Sequence, residues 1–369
     1  MIAFTWRQFR SQATVGIVAL AVVALVLVVT GAHLVSVYDD AVAACRASGG
    51  QSAACNNPVT NTYNNLQIAT MALVLVVPAL IGMFWGAPLI AHELETGTFR
   101  LAWTQSVSRL RWLLVKLGLV GLASMVAAGL LSLMVTCWTS PIDKVNQNRF
   151  GPSSFALHGF VPAGYAVFAF ALAATVGLLV RRTLPAMAVT LVGFIGARLA
   201  VTYWVRPHYM SPVTTNLPLS PETAGLQFSG PPGGSATVSV TAQTPHLANA
   251  WVTAASIADK AGHAPTSTYL KQVCANALSA VPLGPVPKGG PGRRVGITGG
   301  NVSAVPAGQR IQSALGQCFH TLSAHYHEVV TYQPASRFWT FQTIETALFV
   351  VLAVALAGFC TWWIRHRVS

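Results

Sequence analysis

Acidic residues are scarce in this chain: 9 Asp and Glu stand against 22 Lys and Arg in 369 residues. So few carboxylates argue against a hydrolytic membrane enzyme built on paired acids. No Gly-x-x-x-x-Gly-Lys-Ser/Thr stretch occurs, which excludes that phosphate cradle from this polypeptide. Neither Gly-x-Ser-x-Gly nor His-Glu-x-x-His occurs, and the near match at Ala91–Glu95 lacks its second histidine. No repeat of fixed period is visible. The net charge of +13 is scattered without an aromatic-interleaved basic patch, so nucleic acid is not an expected partner. His320, His325 and His327, beside Glu328, have spacings that do not converge on one helix face, so no metal site is expected.

Apolar residues are what the chain has in abundance. They form 53% of it, mean hydropathy is +0.55, and charged residues make up only 8%. That composition does not suit a soluble globular protein. Six runs are long enough to cross a bilayer: Thr14–Val37, Leu66–Ala91, Leu113–Trp138, Leu157–Val180, Leu184–Trp204 and Phe341–Ile364. Lys and Arg concentrate on alternate connections, at Arg7 and Arg10, Arg100 to Lys116, Arg181 and Arg182, and Arg365 and Arg367. The positive-inside rule then puts both termini in the cytoplasm. The expected fold is an all-α polytopic membrane protein of six spans, with an extracytoplasmic α+β insert between spans five and six.

The expected organisation follows. Residues 1–12 form an interfacial segment, 13–204 hold spans one to five, 205–340 form the extracytoplasmic domain, and 341–369 hold span six and a tail. The first run exceeds the length of a cleavable signal core, and Asp39-Asp40 separates it from Cys45, so it reads as a retained span. Four of the 6 cysteines fall on the extracytoplasmic side, where Cys45–Cys55 and Cys274–Cys318 are the expected disulfides.

Pro78 and Pro88, with Gly82 and Gly86, predict a bent second span packed where neighbours satisfy the freed carbonyls. Arg198, Glu345 and His33 are polar groups inside spans, each a functional or structural marker. Their matching depth predicts an Arg198–Glu345 ion pair. In the insert, alternation predicts a strand at Ala236–Ala242 and helical spacing predicts helices at Thr266–Ala280 and Gly308–Tyr332. The Pro/Gly block Pro282–Gly300 reads as loop.

The most informative stretch is His92–Lys116, a charged loop between spans two and three. Thr96 or Thr98 suits a cap for a short helix beginning near Phe99. Such a helix would present charges and hydroxyls to a cytosolic partner. This loop resembles that of ABC type-2 transporter permeases, in which Glu-x-Glu-x-Gly-Thr, then Ser-Arg, then Lys join the same two spans. The matching residues are Glu93, Glu95, Gly97, Thr98, Ser108, Arg109 and Lys116.

The resemblance implies a permease subunit, with export the expected direction. It also implies that the loop, through Glu93, Glu95, Thr96, Gly97, Thr98, Arg100, Ser108 and Arg109, seats on a separate ATPase subunit that carries ATP and Mg. A membrane homodimer or heterodimer, in a bacterial plasma membrane, is part of the same expectation. The large insert departs from the family's pattern. The alternative is a non-transporting membrane receptor whose insert binds a ligand.

Overall fold

The computed structural model describes residues 2–47, 61–97, 108–146, 149–151, 154–219, 224–230, 237–242, 247–276, 293–297 and 308–367. The chain divides into two compact units, Met1–Met210 with Ser336–Ser369, and Ser211–Ala335.

The first unit is helical, and among the described residues 6 helical segments are long and apolar enough to cross a membrane. Helix α1 covers Ile2–Ala47 without a break. The first residues, expected as an interfacial segment, are helical and continuous with the helix of span one, whose apolar stretch begins at Phe9. Its 46 residues extend about 69 Å at 1.5 Å each. Val15, Val18, Val22, Leu25 and Val29 on α1 are exposed, as apolar side chains facing lipid would be. Span two is α2 (Asn61–Ile81), a π-helical turn at Gly82–Gly86 and α3 (Ala87–Thr96). Span three is α4 (Arg109–Asn146) and span four is α5 (Val161–Val180). Span five is α6 (Thr183–Ala200), prolonged by a π turn at Val201–Val205 and a 3-10 turn at Arg206–His208.

Helix α5 is the axis of this unit, buried along most of its length. Span two lies against it because its glycines leave no side chain in the way. A Cβ on Gly82 would stand 2.9 Å from the Ala169 carbonyl oxygen, and one on Gly86 would stand 2.6 Å from Ala173 Cβ. The π turn between them opens the backbone just before Pro88, which has no N–H to offer the carbonyl of Phe84. Gln12 Nε2 of α1 donates to that carbonyl at 3.1 Å. Arg198 of α6 likewise donates to Leu75 O, in the turn before Pro78, at 3.1 Å. Polar side chains of neighbouring helices thus serve carbonyls near both prolines.

The second unit carries two three-stranded antiparallel sheets. Strands β1 (Val213–Pro218), β6 (Tyr326–Gln333) and β4 (Trp251–Asp259) form one, with β6 central. Strands β3 (Thr237–Ala242), β2 (Ala224–Gly230) and β5 (Arg293–Ile297) form the other, with β2 central. Helices α7 (Ser267–Val273) and α8 (Gly308–Ser323) pack Leu270, Leu315, Phe319 and Leu322 into one core with Leu226 and Val238. The disulfide Cys274–Cys318 crosses that core.

Two expectations for this unit are corrected. The helix predicted to reach Tyr332 stops at Ser323, and the β-branched run Val329-Val330-Thr331 continues as strand β6 instead. His320, His325 and His327 consequently lie on a helix, a turn and a strand. The block Pro282–Gly300, read as loop, contains β5. Span six is α9 (Phe338–Arg367), in the first unit.

Candidate functional site

The residues around the loop between spans two and three are held by two acids of α3. Glu93 and Glu95 lie two residues apart, so on a helix they project about 200° apart. Each reaches a different span.

Glu93 is turned inward. Its carboxylate pairs with Lys116 Nζ of α4 at 2.5 Å, and the two side chains are only 10% and 1% exposed. The Lys116 ammonium also reaches Leu89 O at 3.4 Å and lies 4.7 Å from the centre of the Trp112 ring. An ammonium placed between a carboxylate, a carbonyl and an indole face is compensated despite its burial. Ile90, Trp112, Leu113, Leu178 and Ile364 pack around this point.

Glu95 points toward span five. Its Oε2 accepts from the Thr183 backbone N–H at 3.0 Å and from the Thr183 hydroxyl at 2.7 Å. Thr183 is the first residue of α6, where backbone donors lack helical partners and the dipole favours a negative charge. The link between α5 and α6 is only Arg181 and Arg182, with Arg181 in the left-handed region at φ 56°. Small residues close the same contact: Ala87 and Ala91 of α3 pack with Ala173, Val176 and Ala186.

The rest of the loop's edges are capped locally. The Thr96 hydroxyl donates to His92 O at 2.8 Å, and Gly97 ends α3 with φ 74°. Ser108 accepts the Arg111 N–H on its side-chain oxygen at 3.3 Å, opening α4. Arg109 is the first residue of that helix. Thr98, Arg100 and the short helix expected near Phe99 lie outside the described residues. Of the residues predicted to meet a partner, Glu93 and Glu95 are thus engaged within this chain, each by another span.

A second polar site lies among α5, α6 and α9. The ion pair predicted between Arg198 and Glu345 is corrected: Arg206 takes Glu345 through two bonds, Nη2 to Oε1 at 2.7 Å and Nε to Oε2 at 2.8 Å. Tyr165 donates to the same carboxylate, as does Tyr209 at 3.4 Å. Burial, then the neighbouring Glu345 charge, pushes the Tyr209 phenol above its ordinary value, which keeps it a donor. Phe155 stacks on the Arg206 guanidinium at 4.5 Å. Arg198 instead lies over the Tyr165 ring at 4.8 Å while serving Leu75 O. Span five does not end at Trp204: it runs through a π turn at Val201–Val205 into a 3-10 turn that brings Arg206 into the bundle. His33 is on the exposed side of α1.

Sequence reading also missed a buried His158 between spans three and four. Its Nδ1 faces Ser154 O at 2.8 Å, and its Nε2 faces Asp143 Oδ2 at 3.0 Å. Thr139 donates to the same Asp143 oxygen at 3.0 Å. Cys45 lies at the end of α1, and its expected partner Cys55 lies outside the described residues.

Among the described residues, six helices are long and apolar enough to cross a membrane, the architecture of a multi-pass membrane protein. Residues 17–206, just over half of the chain, match the family described as ABC-2 membrane transporter related, and the chain belongs to that family. No curated protein and no solved structure matches it.

Proposed function

We propose that this chain is the permease subunit of an ABC exporter in a bacterial plasma membrane. Both termini and the 92–116 loop face the cytoplasm, and the 211–335 unit faces outward. A separate ATPase subunit, carrying ATP and Mg, seats on the loop, and the permease works as a dimer with a second copy or a similar subunit. No catalytic residue belongs to this chain. The substrate route runs between the spans and alternates its access as the ATPase closes and opens.

The observation that carries this reading is the bracing of the loop's stem. A surface loop with no mechanical task needs no buried ion pair on one flank and a helix-capping carboxylate on the other. Both fix the stem to the bundle, as a handle must be fixed if force on it is to move helices. Family membership supplies the rest.

The test is co-purification of the tagged chain from its own membranes. A Walker-type ATPase is expected with the unaltered protein and is lost with Arg100→Glu, a charge reversal within the 92–116 loop. Recovery of a kinase or an anti-sigma factor in place of the ATPase overturns the reading in favour of a receptor.

A further inference from the structure

We propose that Glu95 is a positioning residue that delivers displacement of the 92–116 loop to span five, with Thr183 as its receiver. This rests on the reading of the loop as an ATPase seat and adds where the motion goes. Glu93 already fixes the loop's stem to span three. A loop that moved only its own two helices would need nothing more. Glu95 instead grips the first residue of α6 with two hydrogen bonds to one carboxylate oxygen.

The receiving end has no slack. Two residues separate α5 from α6, so a pull on Thr183 acts on the helix start and not on a compliant loop. Ala91 and Ala186 are both fully buried in the contact beside it, so push as well as pull is transmitted by close-packed atoms. Spans two and five are joined a second time, by Arg198 on Leu75 O. Leu75 and Glu95 are 20 residues apart on span two, while Thr183 and Arg198 are 15 apart on span five. Two ties at different heights make the two spans shift as one body; a single tie would let them swivel.

The far end of span five is where this motion has consequences. Arg206, eight residues past Arg198, holds Glu345 of span six, and the second unit of the chain begins at Ser211. Glu95 therefore stands at the start of a continuous run of bonded helices from the loop to the span that leads into the insert.

The test uses inverted vesicles from cells that express the chain with its native neighbours. Nitroxide labels at Leu184→Cys on α6 and Leu122→Cys on α4, both exposed positions, report their separation without nucleotide and with ATP and vanadate. The expected result is a nucleotide-linked shift in the otherwise unaltered protein that Glu95→Ala abolishes, while the ATPase still co-purifies. Glu95→Gln, which keeps an acceptor oxygen, restores the shift. Thr183→Ala, which keeps only the backbone donor, reduces it, and so covers the case in which Glu95→Ala does not fold. A shift that persists in both Glu95→Ala and Thr183→Ala overturns the proposal. So does the absence of any shift in the unaltered protein when the ATPase is bound. Failure of the ATPase to bind the unaltered protein overturns the underlying reading instead, and the two failures are told apart by the co-purification.

Discussion

Arg206 and Glu345 form a two-pronged ion pair in the interior of the helical unit, where the arginine side chain is 1% exposed and the glutamate side chain 0%. Two tyrosine hydroxyls complete the carboxylate's partners, and the guanidinium rests on Phe155. In a low-dielectric interior such a group is stable as a set and costly in part. Arg206→Leu strands the Glu345 charge and is expected to cost about 3–5 kcal/mol, with a smaller loss in the Arg206→Leu/Glu345→Leu double variant. Arg198→Leu is expected to be milder than Arg206→Leu, because Arg198 does not hold the carboxylate. Thermal unfolding in detergent, followed by tryptophan fluorescence, ranks the three.

The Glu93–Lys116 pair obeys the same logic at the loop. Lys116→Met leaves a carboxylate buried without its counter-charge, an expected loss of about 3–5 kcal/mol. Lys116→Met/Glu93→Gln is expected to recover a substantial part of it. Failure of the double variant to recover would show that Lys116 acts chiefly through Leu89 O and the Trp112 ring, and the same unfolding measurement decides.

Glycines on span two and span five are expected to respond in opposite ways. At Gly86 an added methyl meets Ala173 at 2.6 Å and the Phe170 carbonyl oxygen at 3.0 Å, and backbone cannot yield cheaply. Gly86→Ala should therefore destabilise by about 1–3 kcal/mol. Gly196 has nothing within 4 Å, so Gly196→Ala should be neutral or favourable by up to about 1 kcal/mol through helix propensity.

Acid sensitivity of the second unit is expected to include Asp259. Its carboxylate accepts from the His263 and Ala261 backbone N–H groups, and these bonds hold it below the usual carboxylate range. A carboxyl with a lowered folded-state pKa contributes stability above its unfolded value and loses that contribution as pH falls through the folded one. Asp259→Asn should flatten the acid limb of the stability curve by lowering stability at neutral pH while leaving it nearly unchanged at low pH, as unfolding measured across the acid range will show.

The six spans were legible because about 20 apolar residues per crossing leave little room for another reading. The prolines of span two also announced themselves, and the carbonyl near each is served by a neighbour. The ion pair was misassigned for a local reason: an apolar run ending at Trp204 hides the π turn that carries Arg206 onward. Tyr209 lies beyond that run as well, so its meeting with Glu345 was equally hidden. Strand β6 was hidden by Phe319, Leu322 and Val329, whose spacing mimics a helix across a real boundary. The Glu-x-Glu spacing was noticed as a motif, but its physical sense, two acids aimed at two different spans, depends on which helices flank α3 and could not be read along the chain.

The central claim is that the loop between spans two and three is where a separate motor grips this permease. A photo-crosslinking residue placed at Arg100 in living cells tests it most directly. The account predicts an adduct with a Walker-type ATPase. Reaction of the same position with a membrane-impermeant reagent added outside intact cells, and no ATPase adduct, would contradict it.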